Sequence, residues 1–198
     1  MRAMFESAES LNADIGHWDV SNVTDMERVF SHASSFNNGG TGSIRNWSTG
    51  SVTNMRQMFA NADSFNQGLS NWDVSSVTTM ERMFVDDESF NGDLSNWNPQ
   101  NVTDMSFMFA DAKSFNQNLS NWNVSSVTTM KQMFSGAGLF NGDLSGWNLQ
   151  SVTSLNGMFS GATSFNNGSI IGWDTGSISD MTGMFGDAVS FNQDISGW

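Results

Sequence analysis

The sequence predicts an α/β solenoid of 25-residue units, with short parallel strands on one face and short helices on the other. Three observations carry that expectation. Tryptophan recurs at Trp18, Trp47, Trp72, Trp97, Trp122, Trp147, Trp173 and Trp198, and five of the seven intervals are 25 residues; a fixed period of this length marks stacked repeats. The other two intervals, 29 and 26, both take their surplus between a Phe and the next Trp. Within each unit, a period of two gives way to a period near 3.6. The chain therefore reads as one repeat domain, residues 1–198, of about eight units with partial units at both ends, a fragment of a longer array.

The strand is expected at Trp72-x-Val74, whose spacing of two puts both side chains on one face. Three residues before each Trp stand Ile15, Ile44, Leu69, Leu94, Leu119, Leu144, Ile170 and Ile195, and five after it Val23, Val52, Val77, Val102, Val127, Val152 and Ile178. The helix follows. Met80, Met83, Phe84 and, in most units, a small residue such as Ala62 or Ala112 fall at i, i+3, i+4 and i+7, one face of two to three helical turns. Thr24, Thr53, Thr78, Thr103, Thr128, Thr153 and Ser179 precede it as N-caps, and Thr24…Glu27 and Thr78…Glu81 complete capping boxes. So short a helix does not hold alone in water. The units must stack, strand on strand, with the apolar positions forming internal ladders.

Asparagine follows Phe at Asn37, Asn66, Asn91, Asn116, Asn141, Asn166 and Asn192, and Asn12 follows Leu11. Such a column is either a ligand ladder or, the favoured reading, an internal ladder whose amides bond turn backbone of the next coil, because buried backbone polar groups need partners. Departures from the pattern are few: a four-residue insertion in Asn38–Arg45, expected as a bulged loop; one extra residue in Asn166–Gly172; Pro99 at the strand Val; Asp87 at the helix Ala; and Leu155 for Met.

The motif Leu-x-x-Trp-x-Val-x-x-Val resembles the core of leucine-rich repeats. Val-Thr-x-Met-x-x-Met-Phe-x-x-Ala-x-x-Phe, with Ser-Phe-Asn-x-Asp-Leu-Ser-x-Trp before it, is similar to the Met- and Trp-rich repeat of BspA-like bacterial surface proteins, of the mycoplasma and lactobacillus type. The likeness recurs in every unit. It implies a leucine-rich-repeat-like right-handed coil and a cell-surface, adhesive, non-catalytic protein, and it brings no binding residues to carry over.

Composition narrows the partners. Only seven basic residues, Arg2, Arg28, Arg45, Arg56, Arg82, Lys113 and Lys131, are scattered through a chain of net charge −13, so no basic stripe meets a phosphate backbone or an anionic membrane. Nucleic acid is not an expected partner. No apolar run approaches 18 residues, so no membrane insertion is expected. Without Cys there is neither a disulfide framework nor a thiolate metal site. No Tyr, no recognisable triad around His17 or His32, and carboxylates repeated in equivalent settings leave catalysis little to build on. Asp14, Asp93, Asp143 and Asp194 share a column that Gly68, Asn118, Ser43 and Ser169 interrupt, so structural calcium is a minor alternative to no cofactor. The six Asn-x-Ser/Thr sequons follow from repeat composition.

The expected site lies beside the Trp column. With Trp and Val inward, the intervening residues Asp19, Ser48, Asp73, Asn98, Asn123, Asn148 and Asp174 face out, as do the residues before Trp, among them Asn71, Asn96 and Asn121. The Trp ladder itself is expected in the core, since eight exposed indoles would make too large an apolar strip, and the Met-x-x-Met-Phe stripe likewise. The leading functional expectation is a cell-surface module that binds an extracellular protein or glycan through this polar face. The alternative is a stalk or spacer associating end to end with further copies. A weaker one is ice or mineral binding by the Thr column.

Overall fold

The computed structural model describes residues 1–198. Successive units stack, but the strand-and-helix architecture is overturned. The chain holds three short 3-10 turns, Asn38–Gly40, Ser43–Asn46 and Gly168–Ile170, with no α-helix and no strand. Instead of a parallel sheet there is one isolated bridge between neighbouring coils, running through Asp25, Asn54, Thr79, Asp104, Thr129, Ser154 and Asp180. Of 94 backbone hydrogen bonds, 93 lie outside regular elements, so turns and coil-to-coil bonds are the fold.

The stretch expected as a helix shows why. In Met80–Asp87 the odd-numbered N–H groups after Glu81 reach back three residues, Met83 to Met80 (3.1 Å), Val85 to Arg82 (3.3 Å) and Asp87 to Phe84 (3.2 Å), and the Glu81 N–H donates to the Thr79 hydroxyl (3.3 Å). The even-numbered ones donate to the next coil, Met80 to Asp104, Arg82 to Ser106, Phe84 to Met108 and Asp86 to Ala110, at 2.8–3.1 Å. Arg82 and Asp86 sit at φ 57° and 56°, the left-handed third position of a type II turn, which no α-helix admits. The same pair of positions is left-handed at Gln57 and Asn61, Phe107 and Asp111, Gln132 and Gly136, Gly157 and Gly161, and Gly183 and Asp187. A run of turns still places Met80, Met83 and Phe84 inward, so its apolar spacing is that of a helix. The difference is energetic: a two-turn helix satisfies only its own backbone, whereas alternate turn N–H groups tie each coil to the next.

The N-cap expectation fails with the helix. The Thr hydroxyls donate to the Thr carbonyl of the preceding coil, as from Thr78 to Thr53 (3.1 Å) and Thr128 to Thr103 (3.0 Å). The turn run is opened by the next residue instead. Asp25, Asn54 and Asp104 accept the N–H two residues on, at 2.8–3.0 Å. Glu27 and Glu81 close no capping box; they pair with Arg2 and Arg56, and with Arg56 and Arg82.

Inward side chains form one core of 52 residues. Phe59, Phe84, Phe109 and Phe134 stack coil on coil at 5.5–5.6 Å between ring centres, and Phe65, Phe90, Phe115 and Phe140 make a second ladder at 5.8–5.9 Å. Within a coil the two ladders touch face to face, Phe84 on Phe90 at 3.9 Å. The indoles of Trp47 through Trp173 are buried, as the register requires. Each from Trp47 to Trp147 donates its Nε1–H to the carbonyl of the Leu or Ile in the preceding coil, as Trp97 does to Leu69 at 2.8 Å. The indole N–H groups of Trp173 and Trp198, the two that follow the extra residue near Gly168, are buried without a partner. Pro99 costs no bond, because the equivalent N–H of Val74, Val124 and Leu149 makes no backbone hydrogen bond.

Candidate functional site

Beside each Trp, two turns leave a short outward segment. Trp72 closes one turn on Leu69 (2.9 Å) and Val77 another on Val74 (3.1 Å). Trp72 and Val74 go into the core, and Asn71 and Asp73 stand exposed. Asp19, Asn98, Asn123, Asn148 and Asp174 are exposed in the same way, as are Asn96 and Asn121. The face is therefore a set of parallel turn segments, not a sheet.

The outward column spends part of its hydrogen-bonding capacity locally. Asp19, Asp73, Asn123, Asn148 and Asp174 each accept the N–H two residues on, at 2.9–3.2 Å. One oxygen fixes the side chain against its own turn, and the rest of the carboxyl or amide projects outward. Hydrogen bonds from the Ser21 hydroxyl and backbone hold the Asp19 carboxyl below its ordinary range, and those from the Ser75 hydroxyl and backbone do the same for Asp73.

The Asn column after Phe proves to be a backbone ladder. Each amide oxygen accepts the N–H of the next column member, from Asn12 and Asn37 up to Asn166 and Asn192, at 2.8–3.1 Å. It runs along the surface and not the interior, for Asn66, Asn91, Asn116 and Asn141 are exposed. Asp14, Asp93, Asp143 and Asp194 also accept the N–H two residues on, at 2.9–3.0 Å. No group of three His, Asp or Glu side chains is placed to hold a metal ion.

One place on the polar face departs from the ladder. The insertion folds through two 3-10 turns, Asn38–Gly40 and Ser43–Asn46, joined through Gly42 at φ 68°. Its anchor is the fully buried Asn38. The Asn38 amide nitrogen donates to Asp14 (3.3 Å), Thr41 (3.1 Å) and Ser43 (2.9 Å), and its oxygen accepts the Ile15 N–H (2.9 Å). Ser43 also donates to Asp14 at 2.6 Å, and this bond leads the causes that hold the Asp14 carboxyl low. Ile44 and Trp47 stay in the core, so the surplus residues push outward. Two depressions result, one of about 500 Å³ bounded by Arg45, Asn46, Ser48, Gly50, Asn71 and Asp73, the other of about 200 Å³ between Arg45, Gln67, Ser70 and Asp93.

Of the two outward columns expected from sequence, the larger depression gathers Asn46, Ser48, Asn71 and Asp73; Asp19, Asn96, Asn98, Asn121, Asn123, Asn148 and Asp174 do not line it. Arg45 is the residue that the column pattern does not mark; its signal is the surplus between Phe36 and Trp47, combined with a lone cation in the segment before a Trp.

The family described as Mycoplasma protein of unknown function, DUF285, matches residues 1–42, 38–147 and 117–198, which together span the chain. The chain belongs to this family. The three overlapping matches follow from the repeat. No curated protein and no solved structure matches the chain.

Proposed function

We propose that this chain is a non-enzymatic interaction module displayed at a cell surface, which binds an extracellular protein or glycan through the polar face beside the Trp column. One observation carries the reading: Asp73, Asn98, Asn123 and Asn148 are exposed one per coil over a buried indole ladder. The Asp73 carboxylate and the Asn123 and Asn148 amides are braced by their own turns, and pre-organised polar groups lose little freedom when they bond hydroxyls or an extended peptide. The likeness to BspA-like surface repeats supports display and adhesion. It bears on sequence kinship and not on strand-and-helix architecture. No helix of the chain is long and apolar enough to cross a membrane.

The test is a screen of immobilised glycans and matrix proteins against the wild-type chain and the triple variant Asp73→Ala, Asn98→Ala, Asn123→Ala. Loss of the hits in the variant, with an unchanged melting temperature, is expected. Hits that persist in the variant would place binding on another face.

A further inference from the structure

Every other basic side chain is engaged. Arg2 pairs with Glu27, Arg28 with Glu6, Arg56 with Glu27 and Glu81, Arg82 with Glu81, and Lys113 with Glu88. Lys131 lies over the Phe107 ring. Arg45 is exposed, makes no ion pair or hydrogen bond, and stands between the two depressions that the insertion creates. Asn38 bonds Ser43 and the Ile15 N–H from within, which anchors the backbone that leads into Arg45, and the guanidinium itself is left without a partner.

We infer that the Arg45 depression is a subsite for a saccharide bearing a single carboxylate, a hexuronate residue, an inference that rests on the binding role proposed for this face. A planar guanidinium without a partner is matched by a carboxylate, which it grips with two parallel N–H donors. The remaining lining, Asn46, Ser48, Asn71 and Asp73 with Gly50, offers amide, hydroxyl and carboxylate groups to ring hydroxyls. Trp47 is the one hydrophobic residue in the lining, and it is buried, so the site has no platform for an apolar group. The depression, about 500 Å³, is open to solvent on one side, so it meets one face of a sugar ring and does not enclose it. Charge sets the limit of one carboxylate. Asp73 and Asp93 flank Arg45, and the chain carries −13 overall, so a polyuronate meets repulsion beyond its first sugar.

Methyl β-glucuronide and methyl β-glucoside share their ring hydroxyls and differ in the carboxylate, which makes them the probes. Titration followed by nitrogen–proton NMR is expected to move the Arg45, Asn46, Gly50 and Asn71 signals with glucuronide. The glucoside is expected to bind about tenfold more weakly, the scale of one charge-assisted contact. Arg45→Gln, which removes no internal contact, brings the glucuronide down to the glucoside level, and a short polygalacturonate binds no better than methyl α-galacturonide, its own monomer. Equal binding of the two glycosides, an undiminished preference in Arg45→Gln, or no glucuronide binding overturns the inference. If the glycan and protein screen still loses its hits in the Asp73, Asn98, Asn123 variant, the face reading survives that outcome; if the screen has no hits, the glucuronide result is read on its own.

Discussion

Asp87 stands in the inward column that other coils fill with Ala33, Ala62, Ala112, Ala137, Ala162 and Ala188. It is fully buried and neither carboxyl oxygen has a hydrogen-bond partner. Burial, reinforced by the Asp63 charge, pushes its carboxyl well above the ordinary range; the Ser89 and Phe90 N–H groups pull the other way without closing a bond. The folded chain therefore keeps a proton that the unfolded chain releases near pH 4, and stability falls as pH rises from there through the folded pKa. The lowered carboxyls of Asp14, Asp19, Asp73, Asp93, Asp180 and Asp194 act oppositely, adding stability that is lost as pH falls below about 4. Asp87→Ala is predicted to stabilise the chain at neutral pH by about 1–3 kcal/mol, the cost of an unsatisfied buried polar group. Urea unfolding from pH 4 to pH 7 checks this. The gain over wild type should widen as pH rises, and a constant gain would mean that Asp87 does not titrate.

At the scale of the coil, the inward positions were legible because packing imposes them whatever the backbone does. Met80, Met83 and Phe84 face inward on a turn run as they would on a helix. The backbone itself was also written in the sequence, in residues that carry no hydrophobic period. The second left-handed position of each run holds His32, Asn61, Asp86, Asp111, Gly136, Gly161 and Asp187, residue types that tolerate positive φ, whereas the first holds Arg28, Gln57, Arg82, Phe107 and Gln132 beside Gly157 and Gly183 and so carries little such signal. Glycine twice in five residues at Gly157 and Gly161 argues against a helix and for turns. Of the site, the Asx columns followed from the Trp register. The Arg45 depression did not, because an insertion's path depends on what anchors it. That anchor yields a prediction: Asn38→Ala strands the buried Ile15 N–H and should lower stability by about 1–3 kcal/mol. The measurement is urea unfolding beside amide exchange at Ile15, where unchanged protection would remove Asn38 as the anchor.

Across the molecule, each coil touches only its neighbours, through the bridge chain, the Asn ladder, the turn N–H groups and two phenylalanine ladders. Stability is then a sum of coil and interface terms, and a strain placed in one coil appears in unfolding of the whole. The coils are runs of turns with left-handed third positions and not short helices, and Gly161 is the position where the two architectures predict opposite signs. It sits at φ 71°, and a methyl group there would meet Gly136 only at 3.5 Å, so Gly161→Ala probes conformation without a clash. The turn architecture predicts a loss of about 1–2 kcal/mol in the unfolding free energy. A gain of up to about 1 kcal/mol, the normal result of Gly→Ala within a helix, would contradict it.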